Sequence, residues 1–211
     1  MLKKLFNINP GEGLPTLILF IYFFAFVAIS ITGSAARDAY FLNMVDRDYL
    51  PLMFLAVAIV LTLVIEIYSR LSKNRDLIQT TTISGLLFAF SLVFIQNKLE
   101  GWVIPFLYVW MEVITVITIT QFWILAADVF NPRQAKRLFS LLGAGGALGS
   151  IIIGSSINSF VSLFGSENLL FVTIGFLGVV ILMANLIRPY RNINELKIQS
   201  TKKDEKQQSD K

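Results

Sequence analysis

Residues 107–130 read "LYVWMEVITVITITQFWILAADVF". This stretch is long enough to cross a bilayer, which takes about 20 mostly apolar residues. It is too long for a buried strand. Glu112 lies five residues in, among side chains that otherwise belong in lipid or a packed interior. The composition of the whole chain agrees with a membrane setting. Of its 211 residues, 55% are hydrophobic and only 15% charged, against about a quarter charged in an ordinary soluble domain. The charges also cluster between apolar runs.

Working outward, six stretches qualify as spans: residues 15–36, 50–68, 77–96, 102–126, 138–161 and 168–187. The expected fold is an all-α membrane protein of six transmembrane helices. Residues 1–14 form a leading segment, 15–187 the transmembrane domain and 188–211 a charged tail, read as disordered from its polarity. The first span is not read as a cleaved signal, because its basic residues lie far from the apolar run and "NPGEG" intervenes. If the N-terminus is cytoplasmic, 15 of the 18 Lys and Arg fall on the cytoplasmic side. This bias predicts both termini inside. Trp102 and Tyr49 then mark the outer interface, and Tyr68 and Tyr190 the inner one.

There is no Cys and no His. That excludes a disulfide frame, a Cys/His zinc site, a thiol nucleophile and a Ser-His-Asp triad. No nucleophile–base pair is visible, and we expect neither an enzyme nor a bound cofactor or metal. No nucleic-acid partner is expected.

Three places carry candidate function. Glu112 is 10 residues past Trp102, about 15 Å below the interface. A carboxylate at that depth costs about 2.5–3.5 kcal/mol or more and faces a bundle interior or wet cavity. Thr115 shares its face. Glu112 lines a substrate cavity or, protonated, bonds neighbouring helices together. Thr118 and Gln121 form a separate stripe suited to interhelical contacts. Arg37 and Asp38 come second. Arg37 is 22 residues past Pro15, about 33 Å up a straight helix, which places it at the outer edge of the hydrocarbon. There it forms an ion pair that ends the helix, or a cation at a cavity mouth able to fork onto a phosphate. From that height it should not reach Glu112.

The third place is "NPRQAKRLFSLLGAGGALGS". Asn131 is the expected N-cap and Pro132 the first helical residue. Lys136 and Arg137 anchor the inner face or meet substrate phosphates. Gly143, Gly145 and Gly149 imitate a dinucleotide fingerprint, but no strand precedes them and the spacing is wrong. Gly145–Gly149 is instead a GxxxG pair, and Gly146, Ser150 and Gly154 recur every four residues. This stripe predicts a close helix–helix contact.

In this order, "PGEG", "RDAYFL", "WME", "QFW", "AKRLF" and "GAGGALG" resemble the ATP/ADP translocase family of nucleotide transporters. The resemblance spans residues 10–187 and covers the first six helices of a twelve-helix, major facilitator-like protein. It implies a nucleotide or other organic anion as substrate, alternating access, and a second six-helix half supplied by a second copy, another chain or a further segment of the same polypeptide. It implies a cytoplasmic (inner) membrane, of the bacterial type. Glu112 falls on a functionally important Glu of the family, and Arg37-Asp38 on its Arg-Asp pair. Tyr40 stands where the family has a nucleotide-binding Lys. That departure favours the alternative, a non-transporting scaffold or sensor subunit of the same fold.

Overall fold

The computed structural model describes residues 11–72 and 75–191. It contains six long helices: α1 (Gly13–Met44), α2 (Leu50–Ser72), α3 (Leu77–Gln96), α4 (Val103–Val129), α5 (Pro132–Phe164) and α6 (Leu169–Leu186). Two short 3₁₀ turns, Arg47–Tyr49 and Ser166–Asn168, precede α2 and α6. No strand occurs among the described residues. All six helices are long and apolar enough to cross a membrane. The chain is an integral multi-pass membrane protein with six candidate spans. Most of the expected tail lies outside the described residues.

The six spans stand where the hydropathy places them, but their ends differ. The first runs to Met44 rather than Ala36. Arg37-Asp38 looked like a terminus, yet "AYFLNM" after it is apolar enough to carry the helix two further turns. The fifth begins at Pro132, six residues before the apolar run. Its start is built as expected. Asn131 Oδ1 accepts from Gln134 N–H and Gln134 Oε1 accepts from Asn131 N–H, both at 3.0 Å, a reciprocal capping box. At its far end Gly165 adopts φ +81°, a left-handed conformation that only glycine enters cheaply.

Two helices organise the bundle. α1 packs against α4, α5 and α6; α4 packs also against α2 and α3; α3 packs against α6. Setting aside a slight contact between chain neighbours α4 and α5, exchanging α1 with α4, α2 with α5 and α3 with α6 leaves this set of pairs unchanged. Three helices is an odd number, so the two triplets run through the membrane in opposite senses.

Polar side chains tie the helices together. Thr32 bonds Thr173 at 2.8 Å between α1 and α6. Gln121 and Trp110 of α4 donate to Ser84 and Ser91 of α3, both at 2.8 Å. Asn185 of α6 donates to Thr82 of α3 at 3.0 Å. Gln121 therefore fills the interhelical role expected of it. Thr118 instead donates to the Ile114 carbonyl of its own helix at 2.7 Å.

The glycine stripe is half right. A Cβ on Gly145 would come within 2.9 Å of the Phe20 carbonyl oxygen, and one on Gly149 within 3.3 Å of the Phe24 carbonyl oxygen. Gly146 meets the Phe23 ring. Here α5 lies backbone-close on α1. Ser150 and Gly154 do not join this contact: both are exposed, and nothing lies within 4 Å of a Cβ on Gly154. A step of four residues drifts about 40° round a 3.6-residue helix. Gly146 lies about 100° round from Gly145, so its series drifts off the contact face, while the series from Gly145 and Gly149 drifts across it through Ile153 and Ile157, which line a shallow recess with Thr32 of α1.

Candidate functional site

α1 and α4 cross with Gly33 against Met111. A Cβ at position 33 would meet the Met111 Cε, so a larger residue there would have to move the tip of that side chain. This close approach brings the last third of α1 beside the first third of α4. Arg37 is seven residues from the end of α1 and Glu112 nine from the start of α4, so both lie about 10–14 Å inside their helix ends.

Arg37 Nη1 donates to Glu112 Oε1. Its Nε donates to Asp38 Oδ1 at 3.0 Å. The guanidinium also stacks over the Tyr108 ring, 4.4 Å from the centroid. Arg37 is thus gripped on two edges and covered on one face, and its side chain is only 12% exposed. Glu112 and Asp38 remain 30% and 49% exposed. This corrects the expectation that Arg37 stands too high to meet Glu112. That expectation put the end of α1 at Ala36. Once the helix continues to Met44, Arg37 drops by two turns relative to it. Arg37-Asp38 likewise does not end the helix.

The group carries one positive and two negative charges. Its more exposed side chains are the two carboxylates. Thr115 lies one turn along α4 from Glu112, half-buried, and donates to the Met111 carbonyl at 2.9 Å. Tyr40 packs at the edge of the apolar cluster formed by Phe41, Met53, Ile104 and Tyr108.

The other basic candidates lie at the opposite end of the bundle, where the helix sequence starts and finishes; we refer to it as the terminal face. Lys136 is exposed there. Arg137 is held: its Nη2 donates to Glu12 Oε2, while Gln134 Nε2 donates to Glu12 Oε1 at 2.9 Å. Glu12 is 8% exposed and fastens the start of α1 to the start of α5. Arg137 is therefore an internal tie rather than an open phosphate contact.

A second group on this face was not anticipated. Arg191 Nη1 donates to Asp76 Oδ1, and its Nε pairs with Asp128 Oδ2. Arg188 reaches Asp76 at 3.5 Å. Burial raises the Asp76 carboxyl, but its bond to Arg191 and the charges of Arg191 and Arg188 outweigh this and hold it below the usual carboxylate value. Arg188 and Arg191 were assigned to the charged tail; residues 188–191 instead continue the helical path of α6 and bind it to the start of α3 and end of α4. Tyr68, expected as an interfacial anchor, packs on the core with its hydroxyl buried.

No group of His, Cys, Asp or Glu able to hold a metal occurs among the described residues. Comparison with protein-family models, curated proteins and solved structures gives no match to this chain.

Proposed function

We propose that this chain is one half of an alternating-access membrane transporter, completed by a second six-helix half supplied by a second copy, a separate chain or a further segment of the same polypeptide. The observation that carries this reading is the group of Arg37, Asp38 and Glu112. An ion cluster about 10–14 Å inside the ends of two spans, at the edge of the hydrocarbon, costs insertion energy and is kept where it faces a solute path. The exchange of α1–α3 with α4–α6 supports it, since inverted triplets of helices build each half of major facilitator proteins.

The substrate is an organic anion, with a nucleotide first, on the strength of the resemblance in sequence. A phosphate reaches Arg37 only by displacing a carboxylate. Substrate arrival then releases Glu112, so the ion pair that closes α1 on α4 is exchanged for a ligand contact. The same path accounts for Glu112 as a sensing residue rather than as interhelical glue. Both termini face the cytoplasm, following the Lys and Arg bias.

The test is uptake of labelled ATP or ADP into vesicles containing the purified protein. Glu112→Gln keeps the shape and hydrogen bonding but lacks the charge, and is expected to insert normally and lose uptake. Unchanged uptake would remove the role of the charge. No uptake by the parent protein alone or mixed with its membrane partners would leave the second reading, a scaffold or sensor subunit. That reading draws on the full occupation of Arg37 and the absence of a cation at Tyr40.

A further inference from the structure

The packing exchange has a counterpart in residues. α1 and α4 align without a gap over the 27 residues of α4 when their starts, Gly13 and Val103, are matched. Pro15 then falls on Pro105, Leu17 on Leu107, Ala36 on Ala126 and Asp38 on Asp128. Each helix thus has a proline at its third position and an aspartate 23 residues later. Because the two helices run oppositely, Asp38 and Asp128 lie at opposite faces of the membrane.

Each aspartate is paired with an arginine that also reaches a second carboxylate, Arg37 Nε donating to Asp38 and Arg191 Nε lying in an ion pair with Asp128 without a hydrogen bond. At one face, Arg37 joins Asp38 to Glu112 through Nε and Nη1. At the terminal face, Arg191 joins Asp128 to Asp76 through Nε and Nη1. In each case one guanidinium fork spans two carboxylates, as its planar geometry allows and a lysine's does not. Both arginines are mostly covered, at 12% and 22% exposed. The exposed pair Arg70–Glu66, at 78% and 61%, shows what an ordinary surface contact in this chain looks like. The repeat relates only the aspartates; each triad draws its arginine and its second carboxylate from elsewhere. Arg188 adds a longer contact to Asp76 at the terminal face, and Tyr108 covers Arg37 at the other.

We propose that these two triads are repeat-related ionic latches, each holding the helix ends closed at its own face of the membrane. Arg37–Asp38–Glu112 clamps α1 to α4. Arg191–Asp128–Asp76 clamps the chain leaving α6 to the end of α4 and the start of α3. Opening one face then requires breaking one triad while the other stays intact. α4 contributes to both and is the element through which the two faces communicate.

The chain has no cysteine, so single reporters can be placed directly. Ser34→Cys lies one turn along α1 from Arg37, half-buried. Thr81→Cys lies five residues along α3 from Asp76, and Thr81 is 1% exposed. Labelling by a membrane-impermeant maleimide is measured on the full chain in vesicles of both orientations. Arg191→Gln is expected to raise labelling of Thr81→Cys from the terminal face severalfold and leave Ser34→Cys at the parent rate. Arg37→Gln is expected to do the reverse. Arg70→Gln is expected to change neither. Parent rates in both arginine variants, or an equal rise at both reporters in either one, would overturn the proposal. Should Arg191→Gln fail to accumulate, Arg191→Lys retains a charge without the fork; it is expected to give an intermediate rise, and the parent rate would overturn the latch. The measurement needs no transported solute. Face-specific labelling without uptake would leave the latches standing and remove the transport reading, whereas uptake without any change in labelling would do the opposite.

Discussion

α1 and α2 are both continuous apolar helices, and α2 is slightly the more apolar. Yet half of the most apolar part of α1 is buried inside the bundle, against 6% of that of α2. In water the more apolar helix would take the centre. In a bilayer, lipid tails are as apolar as leucine, and burial no longer sorts helices by hydrophobicity. Close approach does. α1 offers Ala25, Ala28, Gly33 and Ala36, all buried, and so admits α4, α5 and α6 to its backbone. α2 offers Leu52, Phe54, Leu55, Ile59 and Leu63, all exposed, and rests on α4 alone among the long helices in substantial contact.

The sharpest way to break this contrast is to fill the α1–α5 seam. Gly145→Leu would drive a side chain into the Phe20 carbonyl, 2.9 Å from a Cβ there. Because backbone cannot step aside, the expected cost is about 3 kcal/mol or more. It should appear as loss of monodisperse protein on size exclusion while membrane insertion persists. Gly154→Leu, which meets open space, should be silent in the same assay. Equal behaviour of the two variants would mean that α5 does not lie on α1 as described.

Next in size is the polar tie between the two central helices. Glu112→Gln leaves Arg37 with Asp38 as its one remaining charged partner of the pair. Removing a partner from a largely buried pair costs about 3–5 kcal/mol, and the partial exposure of Glu112 reduces the expectation to about 2 kcal/mol. A double-mutant cycle with Arg37→Gln, read by thermal unfolding in detergent, should show a coupling on the order of 1–2 kcal/mol. Strict additivity would separate the two residues.

The terminal-face triad supplies a pH test. Asp76 titrates below the ordinary carboxylate value in the folded protein. Its contribution is therefore complete above about pH 4, the unfolded value, and vanishes as the pH falls through the lowered folded value. Asp76→Asn should lower stability by about 1 kcal/mol at neutral pH. It should also flatten the acid limb of the melting temperature below about pH 4. A parent-like acid limb in the variant would assign that limb to other groups. The smallest effect belongs to α2. Leu63→Ala, at a side chain 59% exposed, should shift stability by less than about 0.5 kcal/mol in lipid.

What could be read in advance follows from range. The six spans, the Asn131 cap and the Gly145–Gly149 contact are local patterns, and a period or a short motif specifies them. Arg37–Glu112 is a pairing across 75 residues, and it depends on where α1 stops. Polar Arg37-Asp38 looked like that stop, so the pair was missed by two helical turns. Glu12, Asp76 and Asp128 stand next to helix ends, where an acidic residue reads as solvated. Nothing nearby names Arg137 or Arg191 as the partner. The Pro15/Pro105 and Asp38/Asp128 correspondence was present in the sequence throughout. It rests on few identities, and the helix boundaries were needed to set its register.

The lengths of α1 and α5 have a further consequence. At 32 and 33 residues, each is about 50 Å long, while the hydrocarbon layer is about 30 Å thick. Such helices must lean or stand proud of the membrane, and they do so by different amounts in thin and thick bilayers. Arg37 is about 10 Å from the end of α1, close to the boundary between headgroup and acyl chain. A few ångströms of bilayer thickening would carry its triad from a hydrated layer into hydrocarbon, strengthening the attraction between its charges and raising the cost of parting them. The lipid composition of the host membrane is thereby expected to change how firmly α1 and α4 are held together, with no change in the protein itself.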